Sequence, residues 1–262
     1  MVLLAISIAI ALIIIIGLPI AAGFFVNKKL GVSWRVISYG ALGYLIVQAL
    51  VSVSLNGLSN LIQDWGAAVA EGSYLQSQIL FSLLLGALLG VLIRWLGMKY
   101  LKMETLKTAY GIGIGYGGAE SLMLVGLPLL MTFISMLSNI NIDPESTTLE
   151  PAVVEQLQEL WNLQFFVPLA TAVERLAAMV MHFAVTILVL QVFIRKNHLW
   201  LGAAFGVEFL INSAVVGLSE LGVNYGWVIL ASVIFSLANL YLLYKLNAFD
   251  VGVNIEADPQ TT

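Results

Sequence analysis

The chain has 262 residues, of which 60% are hydrophobic and only 10% are charged. Soluble domains carry about 45–50% apolar and about 25% charged residues, so this composition excludes a soluble enzyme or a disordered chain and predicts a polytopic membrane protein. A net charge of -4 with eleven Lys and Arg residues excludes a nucleic-acid partner. The absence of cysteine excludes disulfides, thiolate metal sites and thiol nucleophiles, which leaves carboxylate, imidazole, hydroxyl and amide chemistry.

Seven apolar runs are long enough to cross a hydrocarbon core of about 30 Å as helices. They lie at residues 2–26, 34–55, 74–99, 105–138, 163–194, 199–220 and 224–246. The first run is followed rather than preceded by basic residues, the reverse of a secretory signal, so we expect a retained helix. Pro128 and Pro168 lie inside the fourth and fifth runs, where they predict a kink or a break. The predicted fold is all-α, a transmembrane bundle of about seven helices.

The connections between these runs alternate in charge. Nine basic residues fall on one side of the membrane if the helices alternate in direction: Lys28, Lys29, Arg35, Lys99, Lys102, Lys107, Arg195, Lys196 and Lys245. The opposite connections carry acidic residues without Lys or Arg, at Asp64, Glu71, Asp143, Glu145, Glu150, Glu155, Glu159 and Glu220. By the positive-inside rule the basic side is cytoplasmic. We therefore expect the N-terminus outside and the C-terminus inside, in a cell membrane that is typically the plasma membrane of a prokaryote.

Residues 1–247 form one predicted transmembrane domain, and 248–262 form an acidic cytoplasmic tail that is predicted to be disordered. The longest connection, 139–162, is predicted to be external and to contain a short amphipathic helix that begins at Thr148 or at Glu150-Pro151. Its apolar residues recur on one side, at Val153, Val154, Leu157, Leu160 and Trp161. We interpret this helix as an interfacial connector that rests on the bundle.

Six ionisable residues fall inside the predicted spans: Arg94, Glu120, Glu174, Arg175, His182 and Glu208. Because a charge at the bilayer centre costs at least about 2.5–3.5 kcal/mol, they are expected to face one another or a wet cavity. Helical spacing places three pairs on shared faces, namely Arg175 with His182, Glu208 with Asn212, and Tyr116 with Glu120. Depth along the helices places Glu120, His182 and Glu208 near mid-membrane, and Arg94 nearer the cytoplasmic mouth. A buried ion-pair network that only fixes helix register is the alternative.

A glycine-rich run, GIGIGYGG at residues 111–118, precedes Glu120. It is not a nucleotide-binding loop, because no strand precedes it and no Lys-Ser or Lys-Thr follows it. In a membrane such glycines either let a neighbouring helix approach closely or permit local unwinding beside a cavity. Close packing is the favoured interpretation.

Four stretches, taken in chain order, resemble a known family. They are 93–101 (IRWLGMKYL), 113–121 (GIGYGGAES), 174–178 (ERLAA) with His182 and 188–191 (LVLQ), and 208–212 (EFLIN). Their order and spacing are similar to those of the YhfC family of intramembrane metalloproteases, relatives of the CAAX prenyl protease and of bacteriocin-processing membrane proteases. The resemblance implies a cytoplasm-facing or mid-membrane cavity in which a glutamate activates water. It further implies histidines that assist or bind metal and a histidine/asparagine-type pair that stabilises the oxyanion.

The chain keeps only part of that family pattern. The family has adjacent glutamates four and three residues before the arginine that matches Arg94, where this chain has Gly90 and Val91. Tyr116 replaces the histidine of the family's Gly-His-Gly-Gly motif, and Glu208 replaces the histidine that opens the sixth-span motif. Compatible with the pattern are Glu120, His182 and Asn212 as catalytic candidates, and Arg94, Glu174 and Arg175 as supporting ion pairs.

Two carboxylates and one imidazole, from Glu120, Glu208 and His182, form a candidate zinc ligand set, because catalytic zinc sites use three protein ligands plus water.

Three function classes stay open: a membrane peptidase with a rearranged site, a catalytically silent relative that binds transmembrane segments of other proteins, and a carrier or proton pathway. A carrier would need internal symmetry that the two halves do not show. Besides the lipid bilayer, the expected partners are such transmembrane segments. The missing acid pair favours a diverged peptidase whose activity is impaired or altered, up to a pseudoenzyme.

Overall fold

A computed structural model of the chain describes residues 2–64, 71–138 and 151–249. Within these ranges the chain forms helices without a strand. We number them α1 (Val2–Leu30), α2 (Trp34–Asp64), α3 (Glu71–Tyr100), α4 (Leu106–Ser138), α5 (Pro151–Trp161), α6 (Phe166–Ile194), α7 (Leu199–Glu220) and α8 (Tyr225–Lys245). All except α5 contain a segment long and apolar enough to cross a membrane. The predicted all-α bundle of seven spans is confirmed.

Capping residues mark the ends of helices at the short connections. At the end of α1, Gly31 adopts a left-handed conformation with φ 69°, and its N–H bonds to the carbonyl of Val26. At the start of α4, Thr105 and Thr108 form a reciprocal capping box. Because short connections join α1 to α2, α3 to α4 and α6 to α7, the nine basic residues gather at one end of the bundle. We call this end the basic end and the opposite one the acidic end.

A Gly-Leu-Pro sequence occurs twice, at 17–19 and 126–128, and a π-helical turn ends at each of its glycines. Proline lacks an N–H group, so the carbonyl four residues earlier loses its intrahelical partner. For Pro19 that carbonyl belongs to Ile15, and the hydroxyl of Ser121 in α4 donates to it at 3.3 Å. The two irregular turns thus bind each other, directly after Glu120.

The two predicted proline interruptions have different outcomes. Pro128 follows the π-helical turn Ser121–Gly126 in α4, in agreement with the expected irregularity. Pro168 lies in the first turn of α6, where a missing N–H is tolerated, and α6 continues without a break from Phe166 to Ile194. The expected interruption at Pro168 was wrong because the helix begins later than the apolar run does.

The centre of the bundle is packed most tightly between the basic end and mid-height. Residues 184–190 of α6 are all buried, and all of them except Thr186 share one apolar cluster with Met98 of α3 and Ile112 of α4. A Cβ on Gly115 would lie 2.0 Å from the carbonyl oxygen of Ile37, so α2 and α4 touch through their backbones. The glycine run is continuous helix, which supports close packing rather than unwinding.

The short helix α5, Pro151–Trp161, lies within the predicted connection 139–162. Its last residue, Trp161, packs against an apolar cluster of α1 and α4 that includes Leu4 and Met136. The side chains of Val153 and Leu157 and the segment 139–150 lie outside the described residues, as does 250–262. Ala248 is buried, and its carbonyl accepts a hydrogen bond of 2.5 Å from the hydroxyl of Tyr110.

Candidate functional site in the centre of the bundle

Ionisable side chains from four spans meet in the middle of the bundle. Arg94 of α3 donates to Glu208 of α7, with 2.9 Å between Nη1 and Oε2. Its Nη2 lies 2.9 Å from Nδ1 of His182 on α6. On the other side of the imidazole ring, Nε2 contacts Oε2 of Glu120 on α4. The convergence that depth and helical spacing predicted is therefore present.

The polar contacts continue along α6 toward the acidic end. Nη1 of Arg175 lies 3.4 Å from Oε1 of Glu120, and its Nη2 lies 2.6 Å from Oε1 of Glu174. The hydroxyl of Tyr225, at the start of α8, donates to Oε2 of Glu174 at 3.4 Å and lies 2.9 Å from the hydroxyl of Thr171. A continuous chain of polar side chains thus connects the centre of the bundle with its acidic end.

Tyr116 forms an aromatic surface for the guanidinium of Arg94. The Cζ atom of Arg94 lies 3.7 Å from the ring centroid, a cation–π geometry, and the imidazole of His182 lies beside the same ring at 5.1 Å between centroids. A Cβ on Gly90 would lie 3.0 Å from the hydroxyl of Tyr116 and 3.1 Å from both Nη1 of Arg94 and Oε1 of Glu208. Because glycine has no side chain, Gly90 leaves the space in which these groups meet.

Burial decreases along the cluster from Arg94 toward the acidic end. The exposed fraction of the side chain is 0% for Arg94, 2% for His182 and 3% for Glu208, but 12% for Arg175 and 17% for both Glu120 and Glu174. Arg94 is therefore enclosed by protein. The expectation that it lies near a cytoplasmic mouth was wrong, because apolar side chains such as Met98 fill the space between it and the basic end.

The cluster forms part of the wall of a cavity of about 260 Å³. Its polar walls come from Tyr44, Gln48, Ser82, Tyr116, Glu120, Glu174, Arg175, His182, Glu208 and Asn212. A buried water needs roughly 10–15 Å³ of such volume and two to four polar partners, so this cavity has room for several waters. The buried ion pairs thus border solvent-sized space instead of closing on one another completely.

The three predicted zinc ligands do not fit a single zinc ion. Glu120 lies at Nε2 of His182, whereas Oε1 of Glu208 lies 3.5 Å from Nδ1, on the opposite side of the ring. Zinc binds one imidazole nitrogen, with its nitrogen and oxygen ligands at about 2.0–2.2 Å. The guanidinium of Arg94 also occupies the space between Glu208 and His182. In the described part of the chain, no group of three or more His, Asp or Glu side chains is arranged to hold a metal.

Asn212, the remaining candidate, lies on the cavity wall one helical turn after Glu208. It also lines a smaller cavity of about 40 Å³ between α6, α7 and α8, together with Ser232, Ser236 and Asn239 of the last span. Sequence reasoning missed these three residues, although their spacing of four and three along α8 indicates one polar face. It also missed Tyr225 and Thr171, whose positions at helix ends carry no such signal.

The cluster nearly balances its own charge. Two guanidinium groups face three carboxylates, which leaves one negative charge. Because a guanidinium can only donate, Nδ1 of His182 accepts from Arg94, and the neutral imidazole presents Nε2–H to Glu120. Charge-assisted contacts of this kind hold side chains in fixed positions. The arrangement can hold water against Glu120 and present amide and hydroxyl donors from Asn212 and Tyr116 to the same space.

Comparisons with known proteins give one match. A family model described as YhfC intramembrane metalloprotease matches residues 13–234, which include all seven spans at least in part. No curated protein and no solved structure matches the chain.

Proposed function

Because this chain belongs to the YhfC intramembrane metalloprotease family, we propose that it is a diverged member that binds peptide segments within the membrane and hydrolyses them by an altered chemistry. In this chemistry Glu120 and His182 act on the attacking water. No zinc ion is bound between these two residues and Glu208. The observation that carries the proposal is the carboxylate–imidazole contact of Glu120 and His182 on the wall of a cavity large enough for water.

Glu120 is the general base in this proposal. Its carboxylate lines the cavity and is 17% exposed, so it can accept a proton from a water that attacks a peptide carbonyl carbon. As the water oxygen bonds to carbon, Asn212 and Tyr116 donate to the developing oxyanion. The carbon–nitrogen bond then breaks, and Glu120 returns the proton to the leaving amine. His182 is a positioning residue that orients Glu120 through Nε2 and is itself oriented by Arg94 at Nδ1.

The departures from the family pattern support an altered site over a decayed one. Three of the four departures, Gly90, Tyr116 and Glu208, are scattered in sequence, yet a Cβ on Gly90 would come within 3.1 Å of the other two side chains. The fourth, Val91, lies in the apolar core. Glu208 brings a carboxylate from α7 to the place where the resemblance implies one on α3. Random loss would not be expected to change three residues that meet at one point and to leave each charge there paired.

The proposal is tested with purified protein reconstituted in vesicles together with a mixture of synthetic transmembrane peptides, with cleavage read by mass spectrometry. Glu120→Gln is expected to lower the cleavage rate by about 10²–10⁴-fold, the usual contribution of a general base. His182→Ala should do the same. Matched controls are Glu220→Gln, at the exposed end of α7, and His198→Ala, at the exposed start of α7. A chelator should leave the rate unchanged.

Three results would contradict this proposal. Unchanged cleavage by Glu120→Gln would remove the proposed base. Zinc bound in a 1:1 ratio and lost on His182→Ala would restore the metal-dependent mechanism. Binding of the peptides without any cleavage would show that the protein acts as a binding module.

A catalytically silent peptide-binding protein is the second candidate. It is favoured by one observation, that each carboxylate of the cluster contacts an arginine or the histidine. In that case filling the cavity should abolish peptide binding while Glu120→Gln leaves it intact. Gly86→Leu fills the cavity, because Gly86 lines it and a Cβ there meets nothing within 4 Å. Gly202→Leu, at an exposed position of α7 with equal free space, is the matched control.

A further inference from the structure

The cavity extends from the cluster in one direction only. On α2 its lining residues run from Tyr44 to Val51, and on α7 they run from Glu208 to Val216. In both helices this direction leads away from the basic end, since α2 begins and α7 begins there. The lining residues of the other three helices lie on the same side of the cluster. They are 82–87 of α3, without the following turn, Tyr116 to Leu124 of α4, and Glu174 to His182 of α6.

On the side of the basic end, buried apolar side chains close the cluster. Ile112 and Ile187 have no exposed surface, and neither have Met98 and Val189. No lining residue of the cavity in the described chain lies beyond the cluster on this side. Buried apolar side chains therefore separate the cluster from the basic end in this conformation.

Two independent features lead from the cluster to the acidic end. The exposed fraction rises from 0% at Arg94 to 17% at Glu174. The polar chain also continues through Glu174 to Tyr225, at the start of α8. Because α8 begins at the acidic end, the exposed fraction of the side chains rises, and the chain of hydrogen bonds continues, in the same direction as the cavity.

From this placement we infer that the site is supplied from the extracytoplasmic side: water and the peptide segment enter at the acidic end, which the positive-inside rule places outside. The inference rests on the proposed function for the identity of the bound segment. It narrows the substrate class to peptides whose scissile bond lies in the outer half of the membrane. The family resemblance implies a cytoplasm-facing or mid-membrane cavity, and this inference excludes the cytoplasm-facing one.

The absence of cysteine allows a direct test, since any introduced cysteine is the only thiol of the chain. Single-cysteine variants of the full chain are treated in intact cells and in opened membranes with a charged, membrane-impermeant methanethiosulfonate reagent. Ser82→Cys and Val216→Cys report on the cavity. Glu220→Cys reports on the exposed acidic end, Glu104→Cys on the exposed basic end, and Ile187→Cys on the packed core.

The inference predicts that both cavity variants and Glu220→Cys are labelled in intact cells. Glu104→Cys should be labelled only after the membranes are opened, and Ile187→Cys under neither condition. Labelling of the cavity variants from the cytoplasmic side only, or no labelling of them while Glu220→Cys reacts, would overturn it. If the cavity variants react only from the cytoplasmic side, Glu220→Cys distinguishes two explanations. Its labelling in intact cells means that the cavity opens at the basic end, and its labelling only in opened membranes means that the chain is inverted. Since labelling needs no cleavage, this result is independent of whether the protein is a peptidase.

Discussion

The two halves of α6 show how one helix serves two purposes. Between Phe166 and His182 it carries Glu174 and Arg175 and borders a cavity, whereas residues 184–190 are buried without exception and bear only one hydroxyl group, that of Thr186. The Thr186 hydroxyl bonds to the carbonyl of His182 in its own helix. The packed half therefore holds the other spans in register, and the cavity half can keep ionisable groups beside water.

The buried ion pair of Arg94 and Glu208 lies at the level where the two halves of α6 meet. The pair lies between apolar packing on one side and the cavity on the other, and it has almost no exposed surface. A buried ion pair contributes little net stability, but loss of one partner leaves an uncompensated charge. Substitutions at this boundary are expected to have larger effects than those in either half.

Arg94→Met should have the largest effect on stability. It leaves Glu208 buried without its cation, which costs about 3–5 kcal/mol of the free energy of unfolding. Unfolding of the purified protein in detergent with increasing dodecyl sulfate measures this loss. Arg195→Met, which removes an exposed arginine at the basic end, is the control. Equal effects of the two substitutions would show that the boundary has no special role.

A methyl group on the glycine face of α4 should have the next largest effect. Gly115→Ala would place a Cβ 2.0 Å from the carbonyl oxygen of Ile37, so α2 and α4 must separate. Overpacking of this kind costs about 1–3 kcal/mol. Gly86→Ala, which adds the same methyl group beside the cavity where nothing lies within 4 Å, should not destabilise the protein. The same unfolding assay compares the two variants, and equal losses would contradict the packing of α2 on α4.

A smaller difference is expected between valine truncation in the packed half of α6 and valine truncation beside the cavity. Val189 has no exposed surface in the packed half, whereas Val215 lines the cavity in α7. At about 0.8 kcal/mol per buried CH₂, Val189→Ala should cost about 2 kcal/mol. Val215→Ala should cost less than about half of that, because its methyl groups already face free volume. If the order of the two losses is reversed, the packed half has been assigned to the wrong side.

Apolar runs predicted most of the fold. The seven spans follow from length and hydropathy, which depend on the chain alone. The start of α6 was misplaced by three residues because the apolar run begins at Leu163, before the helix does. Pro128 predicted the irregular turn in α4, whereas the turn before Pro19 was not predicted. That these two turns bind each other through Ser121 and Ile15 depends on the packing of two distant helices.

The site was predictable as a set of residues but not as a geometry. Helical spacing correctly grouped Arg175 with His182, since both contact Glu120. It could not show that Glu120 and Glu208 lie at opposite nitrogens of His182, which is what prevents all three from binding one zinc ion. It also could not show that Gly90 faces the cluster. A glycine has no side chain to suggest a role, and its importance depends on which groups occupy the space beside it.

A double-mutant cycle between Arg94 and Glu208 tests most directly whether distant spans converge on one buried cluster. Arg94→Met and Glu208→Gln are measured singly and together by dodecyl sulfate unfolding. The contact of 2.9 Å between Nη1 and Oε2 requires the double variant to be more stable than the sum of the single losses allows, by about 2–3 kcal/mol. Strictly additive losses would show that the two side chains do not meet, and would contradict the site described above.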